Sequence, residues 1–117
     1  MRKVMSLAAL AEALTGAALL VFPAIVVQLL FGVEIAGVAV VLARFAGISL
    51  IALGIACWPG VAASHGPLAM LTYSTLVMLY LACLGVTHEF SGVLLWPAVV
   101  VHAVLSAVLA AARFKRS

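Results

Sequence analysis

An all-α fold, an integral membrane bundle of four helices in a single domain (residues 1–117), follows from three features of the sequence. Of 117 residues, 68% are hydrophobic and 8% are charged, against about 25% charged in a typical soluble domain. The apolar residues fall into four runs near the roughly 20 residues that a helix needs to cross a bilayer, and short turns between them use up the chain. Five of the six basic residues, Arg2, Lys3, Arg113, Lys115 and Arg116, flank the first and last runs. Positively charged flanks stay in the cytoplasm, so both termini are placed there and an even number of spans is required.

The first span covers about residues 4–22 and stops at Pro23, whose ring and missing N–H end a helix. Its basic start and apolar run resemble a signal peptide, yet no separate short core and cleavage site stand apart, so a retained helix is expected. Residues 24–31 are apolar but too short to cross again and are expected at the outer interface. Gly32 and Glu34 mark the turn.

The second span covers about 35–57 and ends at Trp58-Pro59-Gly60, where a tryptophan suits the interfacial belt. Small residues from Gly60 to Gly66 form the next turn, and Pro67 suits the first turn of a third span reaching about residue 86. A polar turn, Thr87 to Gly92, leads to the fourth span at about 93–112, with Trp96-Pro97 in its first turn and a basic tail from Arg113 to Ser117. Small residues recur every four positions at Ala9, Ala13 and Ala17, at Ala43 and Gly47, at Ala52 and Ala56, and at Ala103, Ala107 and Ala111. Such stripes let helix backbones approach closely in lipid.

Three ionisable side chains fall inside spans: Glu12 in the first, Arg44 in the second and His102 in the fourth. Counting at about 1.5 Å per residue from the span ends puts all three near the midplane. A bare charge there costs several kcal/mol, so each must be paired or reach water. The expectation is a Glu12–Arg44 ion pair fixing the first span on the second, with Tyr73, Tyr80 and His102 as the other ligand-binding or proton-coupling candidates. Tyr73 and Tyr80 are seven residues apart on one face of the third span, with Val77 and Leu84, and Thr72, Ser74 and Thr75 are nearby. Ser49 and Ser106 are expected to bond back to their own helices.

Several chemistries lack their residues. Cys57 and Cys83 form no C-x-x-C pair and fall at opposite membrane faces, so packing roles are expected. Neither H-x-x-x-H nor E-x-x-H occurs, His88 and Glu89 are adjacent without sharing a helical face, and His65 and His88 are not at the depth of His102. No metal and no bis-histidine haem is therefore expected, nor a phosphate-binding glycine loop or a nucleophile with a mechanistic case. No catalytic residue and no nucleic-acid partner is assigned. The partners expected are the lipid bilayer and a membrane protein or second copy.

The segment Leu42-Ala43-Arg44-Phe45-Ala46-Gly47-Ile48-Ser49-Leu50-Ile51-Ala52-Leu53-Gly54 resembles the R-x-x-G, L-G helix of small four-helix bacterial membrane proteins of the broad DoxX-like group, through Arg44, Gly47 and Gly54. That resemblance implies a multi-pass protein of the bacterial inner membrane and an association with quinone-linked or redox complexes. Leu10-Ala11-Glu12-Ala13-Leu14-Thr15-Gly16 looks like the first helix of small multidrug-resistance transporters, which implies a membrane carboxylate exchanging protons for a substrate. Three functions stand as expectations: a non-enzymatic accessory subunit or binder of a lipid-like molecule, a proton-coupled small-molecule transporter using Glu12, and a quinone-linked subunit with Tyr80 or His102 near the quinone head. No cofactor is required by the first, with quinone or lipid as the candidate ligand.

Overall fold

The computed structural model describes residues 2–60, 65–88, 90 and 92–116. They form five helices, α1 (Arg2–Val21), α2 (Pro23–Phe31), α3 (Val38–Ala56), α4 (Gly66–Thr87) and α5 (Leu95–Arg116), with no strand among the described residues. All but α2 are long and apolar enough to cross a membrane. They correspond to the four expected spans; the largest shifts are at the second, which starts at Val38 rather than residue 35, and the fourth, whose helix continues through the basic tail to Arg116. Residues 61–64, Glu89, Ser91 and Ser117, parts of the expected turns and tail, lie outside the described residues.

Large apolar side chains such as Leu7, Phe45, Leu79 and Val101 point outward, whereas the largest fully buried ones are only Met70, Leu95, Cys57 and Ser74. That arrangement suits a hydrocarbon surround, because in water the hydrophobic effect would drive those outer side chains inward. The long axis of 45 Å also matches a bilayer with its headgroup regions, about 40–45 Å.

Helices pair in sequence order, α3 antiparallel against α1 and α5 antiparallel against α4. Between α1 and α3 the backbones nearly touch. A Cβ placed on Gly16 would lie 2.5 Å from the Gly47 carbonyl oxygen, a Cβ on Gly47 would lie 2.5 Å from that of Gly16, and Ala9 and Ala13 fill the space over Gly54. Small side chains give lipid-embedded helices this close van der Waals contact in place of a hydrophobic drive. The expected stripes are used in part: Ala9, Ala13 and Gly47 lie in the contact, whereas Ala17, Ala52, Ala56, Ala107 and Ala111 are exposed.

On the α4–α5 side, Trp96 lies over Gly85, Leu81 and Leu84 pack on Leu95, and the Thr75 hydroxyl donates to Ser106 Oγ at 3.3 Å. Ser106 therefore serves helix pairing and not the expected bond to its own helix, while Ser49 does bond back, donating to the Phe45 carbonyl at 3.1 Å. The two pairs meet around Met5, Ala8, Ala9, Cys57, Met70 and Leu109. Met5 and Leu109 belong to this one cluster, which brings the start of α1 and the end of α5 to one end of the bundle.

At the opposite end α2 acts as a strap. Phe22, at φ −127° and ψ 58°, breaks α1 cleanly from α2, and Gly32, at φ +73°, ends α2 in a left-handed cap with its N–H donating to the Gln28 carbonyl at 2.8 Å. The last carbonyls of a helix have no partner within it. Those of Leu30 and Leu29 accept from the N–H groups of Gly92 (3.0 Å) and Leu94 (2.8 Å), and Phe31 stacks edge-on against Phe90. A Cβ on Gly92 would collide with the backbone of Leu29 and Leu30. Gly92→Ala is expected to destabilise by about 1–3 kcal/mol, the usual range for overpacking, read as a lower thermal midpoint in detergent; an unchanged midpoint would show that the strap yields.

Candidate functional site

Glu12 is buried, 7% exposed, on the face of α1 that also buries Met5, Ala8 and Gly16. Its Oε1 lies 4.0 Å from His102 Nε2 on α5. The Tyr73 hydroxyl of α4 neighbours the same carboxyl, and the Tyr73 and His102 rings meet edge to face at 5.9 Å between centroids. Three helices thus bring one acid, one imidazole and one phenol together within an apolar bundle. His102 Nδ1 and Ser74 Oγ, both buried, have no hydrogen-bond partner among the described residues. Buried polar atoms without partners are rare, and each has capacity for a further hydrogen bond.

Arg44 is not part of this cluster, and the expected Glu12–Arg44 pair does not form. Contacts of Gly16 with Gly47 and Ile51, and of Ala9 and Ala13 with Gly54, set Glu12 level with residues 51–54 of α3. Arg44 lies at least seven residues further along α3, about 10 Å at a helical rise, and it is exposed on the outer face. Counting from span ends misjudged its depth because α3 begins at Val38.

Tyr80 is likewise outside the site, 65% exposed. The buried stripe of α4 runs through Met70, Ser74 and Leu81, and both tyrosines lie on its flank. Tyr73 is covered by Glu12 and His102, whereas Tyr80, rotated by the roughly 20° that a helix drifts per heptad, faces outward.

Cys57 and Ser74 border the cluster; the sequence marked Ser74 only as a polar neighbour of Tyr73 and gave Cys57 a packing role. Cys57, at the C-terminal cap of α3, is 2% exposed. It packs as a small apolar group in the cluster with Met5, Ala8 and Met70. Cys83 is a free, exposed thiol thirteen residues beyond Met70 on α4, about 20 Å from the Cys57 end, so the two cysteines do lie at opposite ends. Among the described residues, no group of three or more His, Cys, Asp or Glu side chains could hold a metal.

On the other side of α1, a shallow groove of about 250 Å³ is lined by Ala9, Leu10, Ala13, Gly54, Ile55 and Trp58. It has no ionisable side chain, so among the described residues the Glu12 cluster is what offers charge together with hydrogen bonding at this depth. Comparison of the chain with known proteins finds no matching family model, no matching curated protein and no matching solved structure.

Proposed function

We infer that this chain is a small multi-pass membrane protein that holds the polar head of a lipid-like molecule at the Glu12–His102–Tyr73 cluster. The observation that carries the inference is the Glu12 Oε1 to His102 Nε2 contact of 4.0 Å beside the unpartnered His102 Nδ1. A carboxyl and an imidazole offer a donor and an acceptor whichever of them carries the shared proton. Such a pair in apolar surroundings favours a hydroxyl, carbonyl or amide head joined to an apolar body. The bacterial inner membrane is the proposed location, with both termini cytoplasmic, because the basic flanks of α1 and α5 gather at one end of the bundle.

Native mass spectrometry on protein extracted in mild detergent, with a visible spectrum of the same sample, tests the assignment. Wild type is expected to retain an apolar adduct of defined mass. Glu12→Gln should lower its occupancy about tenfold, the equivalent of losing one hydrogen bond to a charged group. A coloured or quinone-sized adduct would make the molecule a redox subunit's ligand, and a bound polypeptide would make the chain an accessory subunit. Equal adduct occupancy in wild type and Glu12→Gln would overturn the assignment.

A second function, proton-coupled transport of a small molecule, is favoured by one finding: the partner of Glu12 is a titratable imidazole and not a permanently charged guanidinium. A pair able to gain or lose a proton changes net charge, as coupling requires. In that case Glu12→Gln protein reconstituted in vesicles keeps its fold and loses uptake driven by a pH gradient.

A further inference from the structure

Arg44 is the ionisable group that the cluster leaves over. It is exposed on the outer face of α3, six residues past Val38, and takes part in no ion pair among the described residues. Its neighbours on that face, Val41, Phe45 and Ile48, are all exposed and apolar. A guanidinium on a lipid-facing helix cannot stay without a counter-charge, and among the described residues no carboxylate is paired with it.

Where that charge lies follows from helix geometry. Six residues correspond to about 9 Å, so Arg44 sits just below the end at which α3 begins. Side chains on an α-helix lean toward its N-terminus, which aims the Arg44 stem at that same end. There the chain leaves the helix through Gly37, and exposed Glu34 marks the polar region. Long basic side chains placed this way lay their methylenes along apolar surface and put the charge among the headgroups. The planar fork of arginine then matches a phosphate with two parallel hydrogen bonds. No other lysine or arginine belongs to this end of the bundle among the described residues; the remainder lie at the end shared by the termini.

We propose that Arg44 holds the phosphate of an anionic phospholipid at the α3 face near the α2 end, with the acyl chains lying over Val41, Phe45 and Ile48. The site is separate from the Glu12 cluster and does not rest on the function inferred there. A carboxylate on a second copy or another membrane helix is the competing counter-charge. The lean of the side chain toward the membrane boundary favours the lipid, since a partner helix would most readily meet Arg44 at its own depth.

The test uses the full chain in nanodiscs of mixed phosphatidylglycerol and phosphatidylcholine, with retained lipid counted by native mass spectrometry. Preference for phosphatidylglycerol should fall about fivefold in Arg44→Leu, the share expected of one basic residue at an anionic surface. Arg44→Lys should keep part of it. The basic termini attract anionic lipid too, but they are the same in every variant, so the difference belongs to Arg44. Leucine on a lipid-facing position should leave helix content by circular dichroism unchanged. Three results would overturn the proposal: equal preference in wild type and Arg44→Leu; displacement of phosphatidylglycerol by excess inorganic phosphate, which would make the ligand a free anion; or loss of a dimer in Arg44→Leu with lipid preference intact, which would make it a second copy's carboxylate.

Discussion

Replacing Gly47 with leucine is expected to abolish the folded monomer in detergent, and Gly47→Ala to lower its stability by about 1–3 kcal/mol as an overpacked contact. The cause is the approach of α1 and α3: a Cβ at residue 47 would lie 2.5 Å from the Gly16 carbonyl oxygen and 2.9 Å from the Leu20 nitrogen. Backbone atoms on both sides leave no flexible side chain to move aside, so the helices must separate. Separation would remove the van der Waals contact that holds lipid-embedded helices together. Size-exclusion profiles and thermal melts of the two variants check this. An alanine variant with a wild-type midpoint would mean that the helices pack less closely than the structure has them.

The second large effect concerns the Glu12–His102 pair. Glu12→Leu and His102→Leu should each destabilise by about 3–5 kcal/mol, because each leaves its former partner buried without a counterpart. The double substitution should cost less than the sum of the two, with a coupling of about 1–3 kcal/mol as found for groups in direct contact. Arg44→Leu in the Glu12→Leu background should be additive, since the two groups are far apart. Thermal or denaturant unfolding of the four combinations in one detergent gives the coupling directly. Additive Glu12 and His102 effects would dissolve the pair.

Hydropathy located the helices because each span must satisfy its backbone internally and match one bilayer thickness, so its length is dictated by the surround. The break at Phe22–Pro23 was legible for a similarly local reason, the missing N–H and fixed φ of proline, whereas the residues after it were expected only as a short apolar segment. The partner of Glu12 was not legible. Counting residues gives a depth along a helix axis but neither its rotation nor its register against a neighbour. Those are set by the Gly16–Gly47 and Ala13–Gly54 contacts, and of these residues only Ala13 and Gly47 stood in an expected stripe. Gly47 and Gly54, one heptad apart, were the available signal: two Cβ-free positions on one face of a helix mark where another backbone lies. From that contact alone, Arg44 falls at the wrong level to meet Glu12.

The strap at α2 has a consequence for the order of synthesis. Leu29 and Leu30 present carbonyls that await the N–H groups of Gly92 and Leu94, residues made some sixty positions later. An unsatisfied carbonyl is costly in hydrocarbon. While the chain emerges, α2 is therefore held best at the membrane surface, where water serves those carbonyls until the start of α5 arrives. The α1–α3 pair is complete well before that moment, and the α4–α5 pair only after it. The strap is accordingly where the early hairpin first meets the late one, through backbone bonds that neither hairpin can close alone.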